Sequence, residues 1–163
     1  MNKLQTNYAF IDGNNLHLSV INIGWKLDYR KFRQYLIDKC YVVQAYYFIG
    51  KVPGMEQLYS NLQNYGFDLV FKPPINDKHG SYKCNVDAEL VLQAMIDFDN
   101  YDGAVIVTSD GDFSCLVKYL EKAGKLKRLL AASKGGCSKY LRIAAGSEVD
   151  YMDNLKSKLE YKK

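Results

Sequence analysis

The sequence predicts an α/β fold in which a largely parallel central sheet is flanked by helices. Three observations carry that prediction. Short apolar runs alternate with amphipathic stretches from one end of the chain to the other. One run, "GAVIVTS" at 103–109, is almost free of polar residues, the pattern of a strand covered on both faces. A length of 163 residues with 48% hydrophobic content suffices to bury a proper core.

In chain order, "YAFID" (8–12) reads as the first strand. "DYRKFRQYLIDKC" (28–40) places Phe32, Tyr35, Leu36 and Lys39 at helical spacing. "YVVQAYYFIG" (41–50), rich in β-branched and aromatic residues, is a strand ended by Gly50. "PGMEQLYSNLQNYG" (53–66) fits a helix with Pro53 near its start and Gly66 as its stop. "FDLVFKP" (67–73) is the next strand, and "PINDKHGSYKCN" (74–85) a polar loop or hairpin. "VDAELVLQAMIDFDN" (86–100) is a helix whose Ala88, Leu92, Met95 and Ile96 keep a 3.6-residue period. After the strand at 103–109, "GDFSCLVKYLEKAG" (111–124) is a helix closed by Gly124. "KLKRLLAAS" (125–133) is a strand, "CSKYLRIAAG" (137–146) a short helix and "EVDYMD" (148–153) a short strand. A basic, helix-compatible tail occupies about 154–163. With no repeat and no linker, residues 1–163 read as one domain.

Composition narrows the function. No apolar run approaches the length of a membrane span, and "MNKLQTNYAFIDG" lacks the apolar core of a signal peptide, so a soluble cytoplasmic protein is expected. Cys40, Cys84, Cys115 and Cys137 form no CxxC pair; they read as reduced, mostly buried thiols rather than a zinc site. The net charge of +4 permits a nucleic-acid partner without establishing one. The 14 tyrosines read mainly as core-edge packing.

The acidic residues carry more. In such a sheet, ligands bind outside the carboxyl ends of the strands. Asp12 ends the first strand, Asp110 ends "GAVIVTS", Asp112 sits about one turn into the next helix, and Asp87 lies in the first turn of its helix. All four therefore fall on one edge. If the strands bearing Asp12 and Asp110 are neighbours, their backbones lie only ~4.8 Å apart. Carboxylates so crowded repel one another, and a hard divalent cation, Mg²⁺ or Mn²⁺, resolves that repulsion. Such a cation would orient a phosphate, lower the pKa of a bound water and stabilise a departing oxygen. Taken singly, each aspartate has a plainer role as helix cap, dipole partner or turn residue; the convergence favours the metal. Asp97, Asp99 and Asp102, at the opposite edge, read as solvated. Asn15 is a candidate to hold a water or a neighbouring carboxylate, and Thr108 and Ser109 to bond the carboxylates or a phosphate. Lys83 is a candidate phosphate contact, His79 reads as exposed, and His17 has weak support as a cleft residue.

At these residues the sequence resembles the NYN domain family of LabA-like proteins, within the PIN-like nuclease superfamily. The matching stretches are "FIDGNNL" (10–16), "KCNVDAELVLQAM" (83–95), "AVIVTSDGDFSCLVKYL" (104–120) and "SKYLRIAAGSEVDYMDNL" (138–155), which span nearly the whole chain. The resemblance implies a Rossmann-like, PIN-like three-layer fold, an acidic site binding Mg²⁺ or Mn²⁺, and cleavage of RNA phosphodiester bonds. Carried over, Asp12, Asp87, Asp110 and Asp112 form the acidic site with Asn15 as polar partner. The position after Lys83, often glycine in such proteins, is Cys84 here, which removes backbone freedom beside the cleft.

The expectation is thus a metal-dependent ribonuclease acting on single-stranded or structured RNA. Phosphates would be gripped by Lys83, with Lys134, Lys139 and Arg142 as further candidates near the last strands. The rival is a non-catalytic RNA-binding or regulatory module, since fold alone does not guarantee activity. A phosphatase ranks last: its nucleophilic strand-end aspartate would need a second aspartate two residues on, where "DGN" has asparagine. The tail "KSKLEYKK" is compatible with a free tail, an RNA contact or a homodimer interface.

Overall fold

The computed structural model describes residues 3–73, 75–76, 78–80 and 82–163, with side chains described at all of these except Asn76, Tyr82 and Lys83. Its frame is a six-stranded sheet in which every pairing is parallel. The strands are β1 (Asn7–Asp12), β2 (Val42–Gly50), β3 (Asp68–Lys72), β6 (Gly103–Val107), β7 (Leu126–Ala131) and β8 (Val149–Tyr151). They run in the order β3-β2-β1-β6-β7-β8. Between β3 and β6, β4 (Ile75–Asn76) and β5 (Tyr82–Lys83) pair antiparallel, in line with the hairpin alternative read from the sequence. The helices are α1 (Gly13–Asn22), α2 (Tyr29–Cys40), α3 (Glu56–Asn64), α4 (Asp87–Ile96), α5 (Ser114–Lys122), α6 (Lys139–Ala145) and α7 (Lys156–Leu159).

Strand alternation sorts the core into two layers. Ala9, Ile11, Tyr47, Val105 and Val107 pack with α1, α2, α3 and α7. Phe10, Phe48, Ile106, Leu129 and Ala131 pack with α4, α5 and α6 on the other face. The period of two puts successive side chains on opposite faces, so strands covered on both sides must be apolar throughout. β6 meets that demand, with all five residues buried. The result is a three-layer α/β fold.

Four local features depart from the sequence expectations. The helix α1, not among the elements read from the sequence, begins directly after β1 with Asp12 as its N-cap and buries Leu16 and Val20, one turn apart. Its first residue must be small: a Cβ on Gly13 would lie 2.3 Å from the Tyr47 ring and 2.7 Å from the Phe48 carbonyl oxygen. In α4 the helical period is correct but the apolar row faces out. Leu92, Met95 and Ile96 are exposed, while Leu90 and Ala94 fill the core. Asp97, expected to be solvated, is buried and accepts hydrogen bonds from Gln93 Nε2 (2.8 Å) and Asn100 Nδ2 (3.3 Å). That polar knot closes α4. Finally, α5 starts only at Ser114, because Gly111–Phe113 form a tight 3₁₀ turn first.

The basic tail is fastened down. Leu159 is buried, Leu27 and Glu160 form an antiparallel bridge, the Asp28 amide donates to the Leu159 carbonyl (2.8 Å), and the Tyr161 amide donates to the Lys26 carbonyl (2.8 Å). All four cysteines are free thiols. Cys40 and Cys137 are buried, Cys84 is half-buried and Cys115 is exposed, so burial holds for two of the four.

Candidate metal centre

The strand order reverses between β1 and β6, which run side by side at the middle of the sheet with Ile11 opposite Val107. Chain leaving β1 turns toward one helical layer, and chain leaving β6 toward the other. The crevice opened there is where α/β sheets place ligands. Asp12 is the last residue of β1, and Asp110 caps the 3₁₀ turn that follows β6. Asp87 opens α4. Carboxylate oxygens of Asp12, Asp87 and Asp110 lie within 4.8 Å of one another.

A polar lattice fixes two of these carboxylates. The Thr108 hydroxyl donates to Asp12 Oδ2 (3.1 Å) and accepts from the Asp110 amide (3.1 Å), so one side chain ties both acidic segments together. The Asn15 amide donates weakly to Asp12 Oδ1 (3.5 Å), while Asn15 Oδ1 accepts from the Ser109 amide (2.8 Å). Asn15 thereby joins the start of α1 to the end of β6. Ser109 Oγ accepts from the Ala132 amide (3.0 Å), anchoring the same turn to the chain after β7. Asp110 Oδ1 accepts from the Asp112 amide (2.9 Å). Asp87 is held from its own side, its amide donating to Asn85 Oδ1 (2.8 Å).

The electrostatics are unfavourable without a cation. Burial raises the Asp12 carboxyl from 3.8 to about 6, the nearby Asp87 and Asp110 charges add to the rise, and the Thr108 and Asn15 hydrogen bonds oppose it. Asp87 is also raised, first by burial and then by Asp110 and Asp112. Among the described residues, no lysine or arginine forms an ion pair with any of the three. Three close oxygens, one nearly out of water and none paired with a cation among the described residues, suit a hard divalent cation. The all-oxygen donor set matches Mg²⁺ or Mn²⁺ better than Zn²⁺.

The remaining expected site residues are spread over several elements. Asp112 is exposed; it stands at the mouth, outside the close set but near enough to act on Asp87. Thr108 and Ser109 are buried in the lattice just described. Lys139 begins α6 and is exposed. It follows Ser138, whose amide donates to the Ser109 carbonyl (3.2 Å). Arg142 is half-buried one turn further on, and its Nε has no hydrogen-bond partner among the described residues. Lys134 is exposed in the loop after β7. Lys83 belongs to β5, and its side chain lies outside the described residues. His17 lies on the exposed face of α1, away from the trio, and lines a separate cavity.

Two contributors were not anticipated. Asn85 positions the Asp87 backbone, and its signal was the spacing in "NVD", a side chain accepting from the amide two residues on. Gly111 lies so close to Ser138 that a Cβ would sit 2.5 Å from its hydroxyl, which brings the start of α6 onto the acidic turn. Cys84, at the position where glycine was expected, is accommodated by a glycine across from it: a Cβ on Gly50 would stand 2.8 Å from the Cys84 Cβ.

The NYN domain model matches residues 8–152, from the second residue of β1 through β8. The chain belongs to the NYN domain family. NYN domains are PIN-like and generally nucleases that act on RNA. The chain is 25% identical over 154 residues to the low amplitude and bright protein LabA of Synechococcus elongatus, covering 88% of this chain and 82% of that one. In fold it is similar to a Vibrio parahaemolyticus protein of unknown function, at a TM-score of 0.80 and 23% identity, covering 98% of this chain and 99% of that one. The NYN match takes in Asp12, Asp87, Asp110 and Asp112 together. No helix among the described residues is long and apolar enough to cross a membrane.

Proposed function

We propose that this NYN domain, acting as a single unit in the cytoplasm, is a ribonuclease that hydrolyses RNA phosphodiester bonds with Mg²⁺ or Mn²⁺ held by Asp12, Asp87 and Asp110. The observation that carries the reading is the convergence of these three carboxylates, with no ion-pair partner among the described residues, at the switch point of the sheet. When bound, the cation supplies Lewis-acid polarisation of the phosphate and activation of water.

The chain's own residues set the geometry. Thr108 holds Asp12 and the Asp110 backbone in fixed relation, so the carboxylates are oriented before substrate arrives. Asn15 keeps the first turn of α1 against the end of β6 and so keeps Asp12 beside Asp110. Asp112 adds negative charge at the mouth, beside Asp87, and is the fourth candidate ligand. Lys139 and Arg142 of α6, with Lys83 and Lys134, supply phosphate contacts that position the strand without reading its sequence.

The test uses labelled single-stranded RNA with Mg²⁺ or Mn²⁺, beside EDTA and Asp110→Asn controls. Cleavage that requires both the cation and Asp110 supports the reading. RNA bound but left intact under every cation tried would replace it with the non-catalytic RNA-binding module.

A further inference from the structure

A cavity of about 620 Å³ lies away from the acidic centre. It opens in the other helical layer, between α1, the first turn of α2, α3 and the strapped tail, and none of the three clustered aspartates lines it. Its size falls within the roughly 300–1,000 Å³ typical of small-molecule sites.

Its walls have a consistent chemistry. The floor is apolar, from Val20, Leu58 and Leu62. Two tyrosine rings enter from separate elements, Tyr65 at the end of α3 and Tyr161 from the tail. One face of each has a cation over it: the Arg30 guanidinium lies 5.3 Å from the centre of the Tyr65 ring, and Lys26 Nζ 5.0 Å from that of Tyr161. Among the described residues neither cation forms an ion pair with a carboxylate. The carboxylate in the wall, Asp28, is occupied as the N-cap of α2, accepting from the Lys31 amide (3.1 Å) with Lys31 Nζ at 4.0 Å. The Tyr29 hydroxyl is likewise committed, to Tyr47 (3.1 Å).

We propose that this cavity is a second binding site, for a nucleotide unit whose base stacks on Tyr65 or Tyr161 and whose phosphate is held by Arg30 and Lys26. Flat aromatic faces accept any base. Two cations at the rim, neither bound to a carboxylate among the described residues, select an anion over a neutral nucleoside, and the guanidinium suits the geometry of a phosphate. The unit is either a free mononucleotide or one residue of an RNA strand. The site is separate from the acidic centre and does not rest on the nuclease reading.

Calorimetric titration in EDTA tests it, with AMP, UMP, adenosine, inorganic phosphate and a short single-stranded RNA with 2′-O-methyl sugars as probes. The mononucleotides, the strand or both should bind, and adenosine should bind more weakly than AMP. Binding should weaken ~fivefold or more in Arg30→Ala and in Tyr65→Ala. Lys26→Ala, an exposed change outside any helix, gives the same reading if a helix substitution perturbs the fold. Asp110→Asn should leave binding unchanged. Binding of AMP or UMP identifies the free nucleotide as a ligand, and binding of the strand alone identifies RNA. The proposal is overturned if no probe binds at millimolar concentration or if the cavity variants bind as well as the parent. Binding lost in Asp110→Asn but kept in the cavity variants also overturns it, and assigns the ligand to the acidic centre.

Discussion

Replacing Asp12 with asparagine should stabilise the protein near neutral pH when no divalent cation is present. Asp12 is 5% exposed and its carboxyl is raised from 3.8 to about 6, chiefly by burial. Below 3.8 the group is protonated in the folded and the unfolded chain alike and costs nothing. Between 3.8 and about 6 the folded chain retains a proton that the unfolded chain has lost, so stability falls as pH rises. Above about 6 the loss is complete, and at ~1.4 kcal/mol per pH unit it amounts to about 3 kcal/mol. Asparagine removes the charge, remains a good N-cap for α1 and can still accept from Thr108. Because its amide also pays for burial, the expected gain is about 1–3 kcal/mol, or ~2–10 °C in Tm for a chain of this size. Thermal unfolding in EDTA at about pH 7.5 and about pH 4 measures it: a clear gain at the first, little at the second. Mg²⁺ or Mn²⁺ should then raise the parent's Tm more than the variant's, by ~2.7 kcal/mol of stability at a hundredfold excess over Kd. A variant no more stable than the parent at neutral pH, with a difference indifferent to pH, would refute the claim that crowded, buried charge is held at this site.

Three further substitutions probe the supports. Thr108→Val strands the Asp12 carboxylate and the Asp110 amide together, and urea unfolding should show a loss of about 1–3 kcal/mol. Gly13→Ala forces a Cβ against Tyr47 and the Phe48 carbonyl, so denaturant titration should register a loss of ~1–3 kcal/mol or more. Leu159→Ala removes the buried anchor of the tail. It should cost about 2–4 kcal/mol and raise hydrogen exchange at the Asp28 and Tyr161 amides, which the strap protects.

What the sequence makes legible follows from how locally each feature is determined. β6 is readable because a strand buried on both faces has no choice but to be apolar, and its end locates Asp110. Asp12 and Asp87 are readable for the same reason, since each adjoins an unambiguous element. The helix α1 escapes because only Leu16 and Val20 face the core, and the glycine and asparagines before them resemble a turn. The buried face of α4 escapes because a helical period gives spacing but not phase: Leu92, Met95 and Ile96 satisfy the period as well as Leu90 and Ala94 do. Asp112 was expected one turn into a helix, and the intervening 3₁₀ turn carries it to the mouth instead. The cavity lined by His17, Arg30, Tyr65 and Tyr161 has no local signature, because its walls are 144 positions apart and meet only when the tail docks.

The central ladder joins β1 to β6, pairing Asn7 with Gly103 and Ile11 with Val107. During synthesis the first half of the chain can pair β1 with β2 and β2 with β3, but the opposite edge of β1 waits until β6, which starts at Gly103, has emerged. Until then Ala9, Phe10 and Ile11 present open backbone beside apolar side chains, the kind of edge that recruits other chains. Long-range parallel closure of this sort is slow. A prematurely terminated product ending before residue 103 would lack both Asp110 and the partner that covers β1. Such fragments should therefore lack the three-carboxylate centre and be prone to aggregate, because that centre is complete only once translation has passed β6.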